Sequence, residues 1–189
     1  MVRRATRAEV DPIAAMLTRA FEDDPVMRWL FPDAPRMRGF FSSRARGLVR
    51  QDEVWTTDDL AGAALWAEPG RWRLGPLETV ALAVRFLFAF GRRLPAVMEG
   101  LERVENAHPD PPHYYLAVLG TEPSRQGEGI GSALLEPVLE ICDEDEIGAY
   151  LESSKERNID YYARFGFRVI GEVEMPGGPC VWPMWRDPR

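Results

Sequence analysis

"SRQGEGIGSALL", residues 124–135, decides how the rest of the chain is read. Gly127, Gly129 and Gly131 fall at every second position. An apolar run of strand length, "HYYLAVLGT" (113–121), precedes them, and a helical pattern from about Ile130 to Glu144 follows. Strand, glycine-rich turn and helix in that order make an anion-binding arrangement, because the free N–H groups of a helix N-terminus point outward and its dipole favours negative charge. Glycines let such a backbone come within hydrogen-bonding distance of a phosphate. A Walker loop is excluded, since GxxxxGK[ST] does not occur. A dinucleotide fingerprint needs G-x-G-x-x-G near the start of a βαβαβ array, whereas this spacing is G-x-G-x-G and lies past the middle of the chain. A tight turn without any ligand is the reading that the glycines alone leave open.

The chain has 189 residues and a formal net charge of −7. That length suits one domain, residues 1–189, able to bury about 70% of its unfolded surface without staples. The acidic balance argues against a nucleic-acid partner and is compatible with a cationic substrate. Two cysteines, Cys142 and Cys180, lie far apart, with neither a CxxC nor a Cys/His spacing, so no metal site is expected and both read as reduced thiols. "MVRRATRAEVDP" lacks the apolar core of a signal peptide, and "TVALAVRFLFAFG" (79–91) is interrupted by Arg85 and too short to span a bilayer. A cytoplasmic location with no membrane partner is the expectation.

Outward from the glycines, "VRRA" (2–5) reads as a first strand and "TRAE" (6–9) as a capping box opening a helix with Val10, Ile13, Ala14, Leu17 and Phe21 on one side. A prolyl turn is expected in 21–33 and a second helix over 37–49. "EVWTTDDLAGAALWAEP" (53–69) reads as a hairpin. Residues 70–107 have helical periodicity broken near 91–95, and are expected to form a helical insertion covering one side of the core; a membrane-surface helix is the alternative. "DEDE" (143–146) reads as a solvated helix end, because carboxylates there gain nothing from the dipole. A strand at 149–153, a short helix in 158–167 and strands at 167–175 and 180–185 complete the pattern.

Taken together, "LGTEPSRQGEGIGSALLEP" and "NIDYYARFGF" resemble the coenzyme A motif and the downstream motif of the GNAT acetyltransferase superfamily, in the order and spacing typical of it. The resemblance runs from "RRAT" to "WPMW", and within the superfamily "AFEDDP", "VWTT", "YLESS" and "GGPCVWPMWR" are most similar to the puromycin N-acetyltransferase branch. It implies an α/β (α+β) fold: a mixed, mostly antiparallel central sheet with splayed parallel central strands and flanking helices. It implies acetyl-CoA as cosubstrate. The backbone of Leu119, Gly120 and Thr121 would pair with the pantetheine arm. The stretch Arg125, Gln126, Gly127, Glu128, Gly129, Ile130 and Gly131 would hold the pyrophosphate, and Asn158 and Tyr162 would meet the cofactor. The thioester would lie between strands 113–119 and 149–153, with a strand amide near Leu119 or Gly120 on the oxyanion.

The implied reaction is direct attack of a small-molecule primary amine on acetyl-CoA. An ammonium of pKa about 10 must lose a proton, and a thiolate of pKa about 8.5 must leave. Tyr162, four residues before Gly166, is the candidate acid; a packing tyrosine is the plainer reading, and Tyr161 beside it reads as core. Glu152, at the end of a central strand, is the candidate base, against a structural acceptor; Glu122 is a rival, and a water chain would need neither. Glu22, Asp23 and Asp24 could orient a cationic amine or simply end one helix and start the next. Trp29, Trp55 and Trp66 could line the acceptor pocket or pack in the core. His108 and His113 carry no expected chemistry. A non-catalytic acyl-CoA-binding sensor on the same fold and a nucleotide-binding oxidoreductase are the competing functions. The expected state is monomer or homodimer.

Overall fold

The computed structural model describes residues 1–51, 53–72 and 90–189. Eight strands form one sheet in the order β1 (Val2–Arg4), β2 (Val54–Thr57), β3 (Gly62–Ala67), β4 (His113–Thr121), β5 (Gly148–Ser153), β8 (Cys180–Arg186) and β6 (Arg168–Val169), with β7 (Val173–Glu174) also on β8. Neighbours run antiparallel except β4 and β5, which run parallel. This is the expected mixed sheet, and its parallel pair splays. His113 to Leu116 pair with Gly148 to Leu151, and pairing stops there although both strands continue. On its other edge β4 follows β3 through a register shift, Leu65 opposite Val118 and Trp66 opposite Leu116, which leaves Ala117 as an extra residue. Such a bulge bends the strand and turns its far half away from β5.

Alternation within each strand feeds two cores. On one face α1 (Val10–Ala20) and α3 (Ala34–Leu48) bury Ile13, Leu17, Phe41 and Ala45 against Leu65 and Val118. On the other, α5 (Ile130–Glu144) buries Leu134, Leu135, Val138 and Cys142 against Trp66, Leu151 and Met184. The Thr6–Glu9 capping box forms as read, with Thr6 N donating to Glu9 Oε2 at 2.8 Å, although one turn of 3-10 helix separates it from α1. Both cysteines are free; Cys142 is buried, but Cys180 is only half-buried. No helix among the described residues is long and apolar enough to cross a membrane.

The structure departs from the sequence reading in four places. The expected turn over 21–33 contains a six-residue helix, α2 (Pro25–Leu30), and α3 begins at Ala34 rather than at Met37. Both starts place an aspartate immediately before or one residue ahead of a proline in the first turn: Asp24 accepts from Val26 N and Met27 N, and Asp33 accepts from Arg36 N. The single strand expected over 167–175 is two pieces, because Arg168 faces Trp185 while Val173 faces Val181, a register one residue out of step. The acidic run 143–146 is not a bare solvated end. Asp143 takes two hydrogen bonds from the buried Arg186 guanidinium, at 2.8 and 2.7 Å, and Asp145 accepts from Tyr114 Oη. Of the insertion at about 70–107, residues 73–89 lie outside the described residues, and the membrane-surface alternative falls mostly there. The described part holds α4 (Leu94–Asn106), whose Gly100 packs against Trp29 and Met175.

Candidate active site

The fork between β4 and β5 is where the backbone leaves its own hydrogen bonds unmade. Glu122 N donates to Ala61 O at 2.8 Å, so this residue faces β3. Alternation then turns Gly120 and Val118 toward β3 as well, and directs the N–H and C=O groups of Leu119 and Thr121 to the opposite edge, beyond the last parallel pair. Of the two strand amides considered for an oxyanion, Leu119 faces the gap. Gly120 instead carries the weight of α1: a Cβ there would lie 2.7 Å from Leu17 Cδ2.

This open edge leads into the glycine turn. Arg125 N donates to Glu122 O at 2.8 Å and Gln126 N to Pro123 O at 3.5 Å, so these two amides are used inside the turn. Among the described residues, none of the amides from Gly127 to Ser132 donates to a backbone carbonyl. They form a run of free donors ending on the N-terminus of α5. The glycines serve two different needs. Gly127 and Gly129 have φ of +87° and +81°, a conformation costly to residues with a Cβ, and nothing stands within 4 Å of where that Cβ would be. Gly131 is ordinary helix, but its missing Cβ makes room for Tyr161 Oη at 2.8 Å. That hydroxyl is buried and has no hydrogen-bond partner among the described residues. The Arg125 side chain turns to Asp59 and Glu128, tying the turn to the β2–β3 hairpin. Replacing Gly129 with Ala is expected to cost about 1–2 kcal/mol in the left-handed region, visible as a lower urea midpoint.

Glu152 stands one residue beyond the last parallel pair, with its side chain 10% exposed. Oε2 accepts from Tyr115 Oη at 2.8 Å. Oε1 lies 3.1 Å from His108 Nε2 in a geometry that makes no hydrogen bond, and it has no hydrogen-bond partner among the described residues. Tyr115 and Tyr150, neighbours across the parallel pair, share this face; burial, reinforced by the Glu152 charge, pushes both phenols well above their ordinary value. The Trp72 indole stacks on His108 with centroids 3.7 Å apart and planes 10° from parallel. His108 Nδ1 lies 3.3 Å from His113 Nε2, and His113 Nδ1 lies 2.8 Å from Pro111 O. Burial holds the His113 imidazole below its ordinary value. The two histidines given no chemistry from the sequence therefore lead to the candidate base. The available signal was their placement: the chain's only two histidines flank the start of the central strand, with Tyr115, Tyr150 and Glu152 at alternate positions.

The rival base, Glu122, is held by Arg19 through contacts of 2.6 to 3.1 Å, and this pairing keeps its carboxyl below the usual range. Tyr162, on α6 (Ile159–Ala163), is half-buried, and its hydroxyl has no partner among the described residues. Burial raises its phenol above the ordinary value, and the charges of Tyr161 and Asp24 add to this. Asn158 occupies the N-cap position of the same helix without a side-chain capping hydrogen bond, and is also half-buried.

The acidic triplet has different work at each position. Asp24 is 1% exposed; besides capping α2 it accepts from Ser154 Oγ, in the loop after β5. Asp23 takes Lys155 Nζ at 2.6 Å and Arg157 Nη2 at 2.9 Å, contacts that hold its carboxyl below the usual range. Together they fasten the α1–α2 loop across the mouth of the fork, and neither is left free to meet an amine. Glu22 is exposed. Trp29 and Trp66 are core residues, 9% and 2% exposed, with Trp29 wedged against Gly178 and below the Arg93 guanidinium; Trp55 is half-buried beside Arg4.

Comparison with known proteins agrees with this geometry. The family model described as "Acetyltransferase (GNAT) family" matches residues 15–167. An uncharacterised N-acetyltransferase of Schizosaccharomyces pombe is 29% identical over 184 residues, covering 87% of this chain and 73% of that protein. Mycothiol acetyltransferase of Kineococcus radiotolerans is 30% identical over 136 residues, covering 68% of this chain but 43% of its own length. Among solved structures, one described as histone acetyltransferase HPA2 and related acetyltransferase, from Corynebacterium glutamicum, superposes with a TM-score of 0.73 at 25% identity, over 100% of this chain and 96% of that one.

Proposed function

Because the chain belongs to the GNAT family of acetyltransferases, we propose that it acts as one domain, residues 1–189, acetylating a primary amine of a small molecule by direct attack. The family's acyl donor, acetyl-CoA, supplies an activated acetyl thioester. The observation that carries the reading is the continuity of donors at the fork. The open edge at Leu119 and Thr121 runs into the free amides of 127–132, with a buried carboxylate beside the point where the strands part. The residues fit the group. An extended amide arm can take the place of a missing strand on β4, and a diphosphate suits a helix N-terminus whose positive-φ glycines carry no side chains. The buried Tyr161 hydroxyl, without a hydrogen-bond partner among the described residues, lies beside Gly131 near that turn.

Each residue then has a task. Glu152 takes the proton of the incoming ammonium, and Tyr115 Oη orients its carboxylate. The N–H of Leu119, on the open edge of the strand, would hold the acyl oxygen. Tyr162 keeps its proton throughout the neutral range, because burial raises its phenol. A phenol is a weaker acid than a thiol of pKa about 8.5, so Tyr162 Oη donates a hydrogen bond that stabilises charge on the departing sulfur instead of surrendering its proton outright. Tyr162→Phe is accordingly expected to lower kcat about 10- to 100-fold, near the lower end of acid–base effects, with acetyl-CoA binding unchanged. Steady-state kinetics beside calorimetry would check this, and equal turnover would remove Tyr162 from the mechanism.

The test of the function is a calorimetric titration with acetyl-CoA, with NADH as control, followed by an amine screen for released CoA. Saturable binding of acetyl-CoA alone, with CoA released for some amine, is the expected result. Binding without release for any amine would favour the sensor reading. Binding of NADH in place of acetyl-CoA would favour the oxidoreductase.

A further inference from the structure

We propose that Asp59, on the β2–β3 hairpin, is a positioning residue for the diphosphate turn. Acting through Arg125 and Glu128, it holds Gly127 to Gly129 in the shape that presents their amides; this rests on the acetyl-CoA reading above. The glycines create the need. Gly127 and Gly129 have positive φ, and nothing stands within 4 Å of where a Cβ would be, so side-chain packing does not restrain them there. Glycine loses more conformational freedom on ordering than any other residue. A loose turn would give up that freedom on meeting its ligand and bind it more weakly than a turn already in shape.

A relay of side chains supplies the restraint. Asp59 Oδ1 is fixed inside its own hairpin, accepting from Thr57 Oγ1 at 2.6 Å and from Ala61 N at 3.3 Å. Oδ2 is thereby turned outward and accepts from Arg125 Nη1 at 2.9 Å. Arg125 Nε donates in turn to Glu128 Oε2 at 2.7 Å. Arg125 lies ahead of Gly127, and Glu128 lies between the two positive-φ glycines, so the relay spans the turn. Its fixed end is the sheet: Ala61, which holds Asp59, also accepts from Glu122 N at 2.8 Å just before the turn begins.

The charges of the relay are the wrong ones for attracting an anion. Two carboxylates share one guanidinium, which leaves an uncompensated negative charge at the edge of a diphosphate site. The Asp59 and Glu128 side chains are 55% and 48% exposed, so salt weakens this repulsion without reversing its sign. Were the field all that mattered, removing the Asp59 charge would tighten the binding of an anion. Loss of the relay acts the other way, because it loosens the turn. The direction of the change therefore tells the two apart.

Asp59→Asn keeps an oxygen for Thr57 and Ala61 and sets an amide NH2 against the guanidinium, which ends the contact with Arg125. Calorimetric titration with acetyl-CoA should show about fivefold weaker binding, the upper end for an exposed ion pair; equal or tighter binding would overturn the proposal. Arg125→Lys leaves the hairpin's own hydrogen bonds in place and keeps the charge, but an ammonium lacks the planar fork that reaches both carboxylates. The same loss is expected there, and wild-type affinity in this variant would overturn the relay. Asp59→Asn should add nothing further once Arg125 is Lys; a second full loss would mean that Asp59 acts by another route. Backbone 15N relaxation of the free protein gives a readout without any ligand. The order parameters of Gly127 and Gly129 should fall in Asp59→Asn toward about 0.6, the flexible range, with those of α5 unchanged. Unaltered values at the two glycines would overturn the proposal. Failure of the wild-type protein to bind acetyl-CoA would instead overturn the acetyl-transfer reading, and the relaxation data would still decide whether the relay holds the turn.

Discussion

Glu152→Gln should lower kcat/KM by about 10²- to 10⁴-fold, the range for losing a positioned general base. Glutamine keeps the size of the side chain and an oxygen that can still accept from Tyr115 Oη, the contact at 2.8 Å. Packing at the fork is therefore conserved and acetyl-CoA binding should be unaffected. The loss should appear in the step that needs a free amine. Raising the pH toward the pKa of the amine should recover part of the rate, since solvent then removes the proton that Glu152 no longer can. An unimpaired variant would mean that water takes this proton and that Glu152 serves only to hold Tyr115.

Asp143→Ala should destabilise the fold by about 3–5 kcal/mol, the cost of leaving a buried charge without its partner. Arg186 is 3% exposed, and Asp143 takes two of its donors while Phe165 O takes a third. The arrangement ties the C-terminal end of α5 to β8 and to the loop after α6. Alanine leaves the guanidinium with the carbonyl of Phe165 alone. Urea unfolding would measure the loss, and a midpoint within error of wild type would show that water reaches Arg186. The pH dependence has a definite sign. Pairing with Arg186 holds the Asp143 carboxyl below its ordinary value. Its contribution is complete above the unfolded-state pKa of about 3.9 and is lost as pH falls through the lower, folded value. Wild type should therefore lose stability in acid more steeply than the variant.

Local signals were readable wherever the chain's own short-range chemistry decided the outcome. The glycine turn, the capping box at Thr6, the hairpin at 54–67 and the order of strands around α5 all rest on spacing and backbone preference. The six-residue α2 was misread as a turn because its start depends on a carboxylate, Asp24, whose second oxygen is held by Ser154, 130 residues away. The acidic end of α5 was misread for the same reason, since nothing near Asp143 in sequence announces Arg186.

At the candidate site the division is similar. Glu152 and Tyr162 could be singled out from their positions in recognisable motifs. Asp23 and Asp24 were equally conspicuous, yet their charge is taken up by Lys155, Arg157 and Ser154. His108 gave no signal in isolation; only the fold brings Trp72, His113 and Glu152 around it.

The sequence by itself determined the order of strand, glycine turn and helix, which depends on apolar runs of the right length, on periodicity and on glycines able to adopt positive φ; the family and its sheet with an open parallel fork were legible only through the resemblance of its motifs. Tertiary structure alone decided which charges are available for chemistry. A carboxylate's role depends on what its oxygens touch once buried, and those partners come from strands and loops that the fold, not the neighbouring residues, brings into contact.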